Sequence, residues 1–339
     1  MARKIIINVV KIAVTAAILF LIFRRFNIGS KEILEAFRHQ PAWFGAALAA
    51  QGGAIAFSIL RWRALLIGQD LHVPFGHIVK TFLVGRFLGT FTPTGVGLEA
   101  YKAYDIARYT GKTEAAISVV LIEKMIGTFF SLGLLVLLTL PFFFEGIDRR
   151  FLIAFAAFFA VLLVLALILL FSPGIFRVIL HIRFPLRNRI EKPLNRIVDA
   201  FTIYSRNRRS LLAAIGLGLG VYLCWFLTYW ANSLALGAGL TLPDVLKVGP
   251  LTQMATMIPL SIAGVGLREG AFMGLLGVLG VTDGITAARA TAMTLSATMV
   301  YFVSISLNLP GAVIFLLRRT DYRRQMAEMK TSAEPTTDR

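Results

Sequence analysis

Two short strings in this sequence set charge beside proline and glycine in a way that an ordinary apolar helix does not. The first is Pro93-Thr94-Gly95-Val96-Gly97-Leu98-Glu99, with Arg86 ahead of it and Lys102 and Asp105 behind it. The second is Pro259-Leu260-Ser261-Ile262-Ala263-Gly264-Val265-Gly266-Leu267-Arg268-Glu269. Proline and paired glycines interrupt a helix, and the helix that restarts presents unsatisfied N–H groups and the positive end of its dipole. The chemistry on offer is the holding of an anionic group, which glycine lets come close to the backbone. Arg268 and Lys102 are the cations expected to attract it, with Glu99 and Glu269 orienting them or meeting a cationic group. Laying one string on the other puts Glu99 opposite Arg268. These charges then either form a pair across a pseudo-two-fold axis at a ligand, or neutralise one another and stabilise the two breaks without touching one. Glu123-Lys124 is open in the same way, as a structural salt bridge or a functional one.

Other chemistry finds little support. The four histidines, His39, His72, His77 and His181, fall near expected interfaces with no pair at metal-ligand spacing supported by Asp or Glu, so no metal site is expected. Cys224 is single and lies in an apolar run, which excludes a disulfide framework. No paired carboxylates and no Ser-His-Asp arrangement can be argued, and no cofactor is implied. Gly216-Leu217-Gly218-Leu219-Gly220 imitates a phosphate loop, but it lies inside an apolar stretch without a preceding strand and reads as helix packing. Gly270, Gly274 and the neighbouring Gly277 and Gly280 read as a small-residue face for close helix contact. Lys102, Asp105 and Arg108 share helical spacing and could be no more than a solvated face.

The elements that must position these residues are membrane helices. Of the 339 residues 57% are hydrophobic and 16% charged, and the mean hydropathy is +0.75, well outside the composition of a soluble domain. A bilayer core of ~30 Å needs about 20 apolar residues per crossing, and residues 151–171 and 211–231 are the clearest such runs. The net charge of +17 is carried by clusters beside the apolar runs, so nucleic acid is not an expected partner. Along the chain we expect a retained first span ending at Arg24-Arg25, and a short interfacial amphipathic helix over 27–40. A span over 41–60 follows, anchored at the interface by Arg61-Trp62-Arg63. Residues 75–108 carry charges and a break that a lipid-exposed span would not tolerate, so they are expected to form a re-entrant hairpin. Spans at 113–140 and 151–171, a basic connection at 172–209, a span at 210–236, a second hairpin at 242–280 and a last span to Leu317 complete the chain, with a basic tail at 318–339.

Aligning Gly95 with Gly264 also brings Thr113-Glu114 onto Thr282-Asp283 at the same offset. The expected fold is therefore an all-α polytopic membrane protein of two repeats, 1–150 and 151–317. It has about six full spans plus two re-entrant helical hairpins. With three crossings per half, the second half sits upside down, an inverted-topology repeat. The basic clusters place both termini in the cytoplasm, with Arg24–Arg38 as the exception.

These residues resemble the flippase-like membrane portion of bacterial lysylphosphatidylglycerol synthases and its stand-alone relatives, over most of the chain. The family's Pro-Gly-Gly-Val-Gly-Gly-Asp-like break followed by Arg-Ala-Tyr looks like Pro93 to Glu99 and then Lys102-Ala103-Tyr104. Its Asp-Arg-like pair looks like Glu123-Lys124, and its second signature is matched by Pro259, Ser261, Gly264, Gly266, Arg268 and Glu269. Thr94 and Leu98 stand where the family has glycine, and Glu99 and Lys102 are charge-preserving swaps. The resemblance implies lipid translocation between leaflets of the bacterial cytoplasmic membrane, by a protein that lacks the soluble aminoacyl-transferase domain of the fused synthases and is not itself an enzyme. Its ligands would be anionic or modified lipids: aminoacylated, glycosylated or hopanoid-related. Expected partners are thus membrane lipids with phosphate headgroups, and beyond them a lipid-modifying synthase or a second copy of the chain. The rival expectation is a non-transporting membrane partner of such an enzyme; a transferase working within the membrane ranks last.

Overall fold

The structure, a computed structural model, describes residues 40–90, 92, 96–143, 148–171, 202–204, 207–257 and 266–317. The expected first span, the amphipathic helix at 27–39, most of the basic connection, the tail, and Pro93, Gly95, Pro259 and Gly264 lie outside the described residues. The elements are α1 (Pro41–Gly68), α2 (Phe75–Gly89), α3 (Val96–Thr110) and α4 (Thr113–Met125). Helix α4 runs without interruption into a π-helical stretch (Ile126–Leu132), α5 (Gly133–Thr139) and a 3₁₀ turn (Leu140–Phe143). Then come α6 (Arg149–Phe171), α7 (Arg208–Ala235), α8 (Leu242–Ala255), α9 (Leu267–Val278), α10 (Ala287–Ser306) and α11 (Leu309–Leu317).

Among the described residues four helical stretches are long and apolar enough to cross a membrane: Pro41–Gly68, Thr113–Phe143, Arg208–Ala235 and Ala287–Leu317. Local sequence sets several of their starts. Pro41 occupies the first turn of α1, where a missing N–H is harmless. Asn207 accepts from the Ser210 N–H at α7, and Thr286 from the Arg289 N–H at α10. At α8 Thr241 and Asp244 cap each other reciprocally.

Helices α2, α3, α8 and α9 have 15, 15, 14 and 12 residues. At 1.5 Å per residue, each is roughly 18–22 Å long, too short to cross alone. They pack as two pairs, α2 with α3 and α8 with α9. Applying the Gly95-to-Gly264 offset carries α1 onto α7, α2 onto α8 and α3 onto α9 within a few residues.

Helices α1 and α7 pack along their length and form the centre of the molecule. One buried apolar cluster joins α1, α2 and α4 to the start of α7, with Trp62, Leu65 and Ile78 at its heart. Another joins the π-helical stretch, α5 and α6 to α7–α10, through Phe226, Tyr229, Val245 and Phe272. The packing reading holds for two of the three α7 glycines: a Cβ on Gly218 would run into Ser131 and one on Gly220 into the Phe57 ring, 3.2 Å away, whereas one on Gly216 meets nothing within 4 Å among the described residues. The glycines in and just after α9 differ: among the described residues a Cβ on Gly270 or Gly274 meets nothing within 4 Å, and those on Gly277 and Gly280 meet only Thr282 and Asp283 of the turn that follows.

Candidate functional site

The broken segment of the first half brings its charges inward. Lys102, on α3, is only 1% exposed. Its ammonium hydrogen-bonds Glu123 Oε2 on α4, lies 3.6 Å from Glu99 on its own helix, and sits 4.9 Å from the centre of the Trp62 ring. Glu123 also accepts from Arg61 Nη2 at 3.2 Å, so one carboxylate is shared by two cations. Such a buried charge is tolerable only when paired and hydrogen-bonded. Glu99 is thereby turned toward Lys102 rather than Arg268, and Glu123 toward Lys102 and Arg61 rather than Lys124.

Asp105 is one turn further along α3 and fully buried. It accepts a hydrogen bond from Thr81 and lies 2.9 Å from His77 Nε2, which stacks on Tyr109. The solvated-face reading of Lys102 and Asp105 is therefore wrong, because their helix face packs onto α2 and α4; only Arg108, donating to Tyr104, stays outside. Asp105→Ala should lower stability by about 1–3 kcal/mol, the cost of stranding buried polar groups, and thermal unfolding in detergent measures it.

Above this layer is a cavity of about 190 Å³ between helices of both halves. Arg61, Arg86, Glu99, Glu123 and Lys124 line it, with Gln51 and Ser58 of α1, Tyr222 and Trp225 of α7, and Gln253 of α8. Counting Lys102 directly behind it, four cations face two carboxylates. Lys124 is exposed and joins no ion pair among the described residues. Arg61 Nε and Gln253 Oε1 are buried without a hydrogen-bond partner among the described residues. Arg86 is held from the far end of the chain: it donates to Asn308 at 2.8 Å and Ser304 at 2.9 Å, and Asn308 donates to Thr90. The π-helical stretch begins two residues after Lys124 and forms part of the wall through Gly127 and Thr128; the Gly127 carbonyl accepts from Tyr222. Such π-helical turns recur at functional sites.

Gly97 belongs to the wall's support. Its N–H donates to Thr92 Oγ1 at 2.9 Å, and a Cβ there would meet Thr92 and the Leu88 carbonyl at about 3 Å. The second break is organised differently. Gly266 has φ +83°, a conformation that favours glycine, and its N–H donates to Glu269 Oε2 at 2.6 Å. Glu269 also accepts from Thr298 on α10. The positive end of α9 is thus met by its own carboxylate. Arg268 is buried with its guanidinium 5.8 Å from the Tyr301 ring centre, and neither residue lines the cavity.

Arg86, Glu99, Lys102, Glu123 and Lys124 are hence brought together, and Arg268 and Glu269 are set apart. Sequence reasoning missed Arg61, Gln51, Ser58 and Gln253. Arg61 was expected as an interfacial anchor, yet its side chain is 13% exposed and faces Glu123; α1 continues to Gly68, carrying Arg61 and Trp62 inside. The available signal was helical phase: Gln51, Ser58 and Arg61 recur at heptad and three-residue spacing on one face of α1.

Membrane-length helices around a charged internal cavity define a polytopic α-helical membrane protein with a polar interior site. Residues 8–308 match the family described as Lysylphosphatidylglycerol synthase TM region, and the chain belongs to that family. It is a membrane protein related to lipid-modifying synthases. No curated protein matches it.

Proposed function

We propose that this chain moves a lipid with an anionic phosphate headgroup between the leaflets of the bacterial cytoplasmic membrane, by way of the cavity between its two halves. The observation that carries the reading is the charge of that cavity. Three lining cations, Arg61, Arg86 and Lys124, with Lys102 behind them, against Glu99 and Glu123 leave an excess positive charge among membrane-length helices, where ionisable groups are costly and mark ligand or ion paths. A headgroup crossing hydrocarbon loses its hydration, and a polar cavity lowers that barrier. In this reading Lys124 and Arg86 meet the phosphate. Glu99 and Gln253 accept from hydroxyl or amino groups of the headgroup, and the Lys102–Glu123–Arg61 cluster holds the wall in place. The α2–α3 and α8–α9 pairs act as re-entrant hairpins of two inverted repeats within a six-span fold whose termini are cytoplasmic. Rocking of one repeat against the other exposes the cavity to each side in turn. The chain carries out no headgroup chemistry of its own.

Reconstitution into liposomes with fluorescently labelled phospholipids, read by chemical quenching of the outer leaflet, tests this. Lys124 supports no ion pair among the described residues, so Lys124→Gln should slow exchange of an anionic phospholipid at least five-fold while leaving the unfolding temperature unchanged. Unaltered exchange in that variant removes the cavity from the mechanism. Absence of exchange for every lipid tried, with a lipid-modifying synthase stably copurifying, would favour a non-transporting membrane partner instead.

A further inference from the structure

A second concave surface lies on the other side of α7. Between α5, α7 and α8 runs a groove of about 570 Å³, within the ~300–1,000 Å³ of small-ligand sites. Leu135, Leu138, Leu223 and Leu246 give it an apolar wall, and among the described residues Lys247 is the one charged residue lining it. On α7 the groove takes Gly220, Leu223 and Phe226, whereas the cavity takes Tyr222 and Trp225, which by helical phase point the other way. An occupant of one space is therefore not in the other.

We infer that this groove is a phospholipid site, in which one acyl chain lies along the leucines and the phosphate meets the Lys247 ammonium. Charge complementarity selects that occupant. Lys247 is partly buried, its ammonium lies 5.0 Å from the centre of the Phe142 ring, and it joins no ion pair among the described residues. A lone ammonium against hydrocarbon is unfavourable, and an anion beside it offsets the penalty. Its depth fits. Helix α8 starts at the exposed cap Thr241, and Lys247 lies about 9 Å further along the axis. A lysine at that depth reaches toward the interface by its flexible stem. The opposite wall, from Phe142 back to Leu135, descends about 10 Å from the same end. Charged end and apolar trough thus have the polarity of one lipid standing in one leaflet. The site is independent of whether the cavity transports anything.

The full-length protein in nanodiscs, with phosphatidylglycerol carrying a diazirine on one acyl chain, provides the test. Diacylglycerol with the same labelled chain is the phosphate-free comparison. On irradiation, phosphatidylglycerol should mark the peptides of Leu135–Phe142 and Leu219–Leu223 several-fold more heavily than the exposed apolar face of α6 at Phe158 and Val161. Lys247→Ala should cut that labelling at least three-fold, to the level of diacylglycerol. Leu223→Trp, which fills the trough, should abolish labelling by both lipids while leaving the unfolding temperature within a few degrees of the parent. Labelling spread evenly over α6 and the groove, or unchanged in Lys247→Ala, would overturn the assignment. So would efficient cross-linking of a Leu138→Cys variant to a second copy of the chain, since the groove would then be a protein interface.

Discussion

Glu123→Gln is expected to destabilise the folded chain by about 3–5 kcal/mol, the usual penalty for removing one partner from a buried ion cluster. The substitution keeps the size of the side chain and its acceptor oxygen, and removes only the negative charge. Lys102, 1% exposed, is then left with Glu99 at 3.6 Å, and Arg61 with no carboxylate among the described residues. Placement of the ammonium over the Trp62 and Phe82 rings gives back only about 1–2 kcal/mol. In detergent the unfolding temperature should fall on the order of 10 °C. Glu123→Asp, which retains the charge, should lose less. The double variant Glu123→Gln with Lys102→Gln should be clearly more stable than the sum of the two single effects, because the cation that the first substitution strands is then absent. Additive losses would mean that the two side chains do not share one interaction.

A comparable loss is expected from the other end of the chain. Gly311, on α11, lies so close to α2 that a Cβ would overlap the backbone carbonyl of Leu83 and press on Phe87. A side chain could rotate away, but a carbonyl inside a helix cannot, so α2 and α11 must separate. Gly311→Ala should therefore cost about 1–3 kcal/mol and Gly311→Leu more. The separation also stretches the bonds from Arg86 to Asn308 and Ser304, so exchange should fall with stability. Gly216 is the control: no heavy atom of the described residues lies within 4 Å of a Cβ there, and Gly216→Ala should stay within about 0.5 kcal/mol of the parent. Equal effects at the two glycines would contradict close packing at Gly311. Short residues that let membrane helices touch through their backbones are a common means of association where no hydrophobic force acts between helices.

Membrane character was legible because length and hydropathy together leave little choice over stretches such as Arg208–Ala235. The broken segments were legible too, since proline, glycine and charge conflict with a lipid-facing span, and short helices flank both breaks. Half of the site followed: Glu99, Lys102 and Glu123 are anomalous as apolar-span residues wherever they point. Arg61 was not legible in this way. Placed beside tryptophan and a second arginine at the apparent end of an apolar run, it has the local pattern of an interfacial anchor, and only the two extra turns of α1 bring it inside. Gln51, Ser58 and Gln253 are uncharged and disturb hydropathy little. Their importance arises from helices of both halves converging on one cavity, which periodicity within any one of them does not encode. For Arg268 and Glu269 the composition was suggestive and the geometry intervened. Glu269 folds back on the Gly266 N–H, and local capping satisfies what looked like an open anion site.

The attachment of Arg86 to Asn308 has a consequence for how the chain is made. The two residues are 222 positions apart, so at ~5–20 residues per second the ribosome delivers the partner roughly 10–45 s after the arginine. Throughout that interval the nascent protein holds a guanidinium within its apolar region that its own sequence has not yet matched. Until Ser304 and Asn308 arrive, that guanidinium lacks both of the acceptors that hold it in the finished fold.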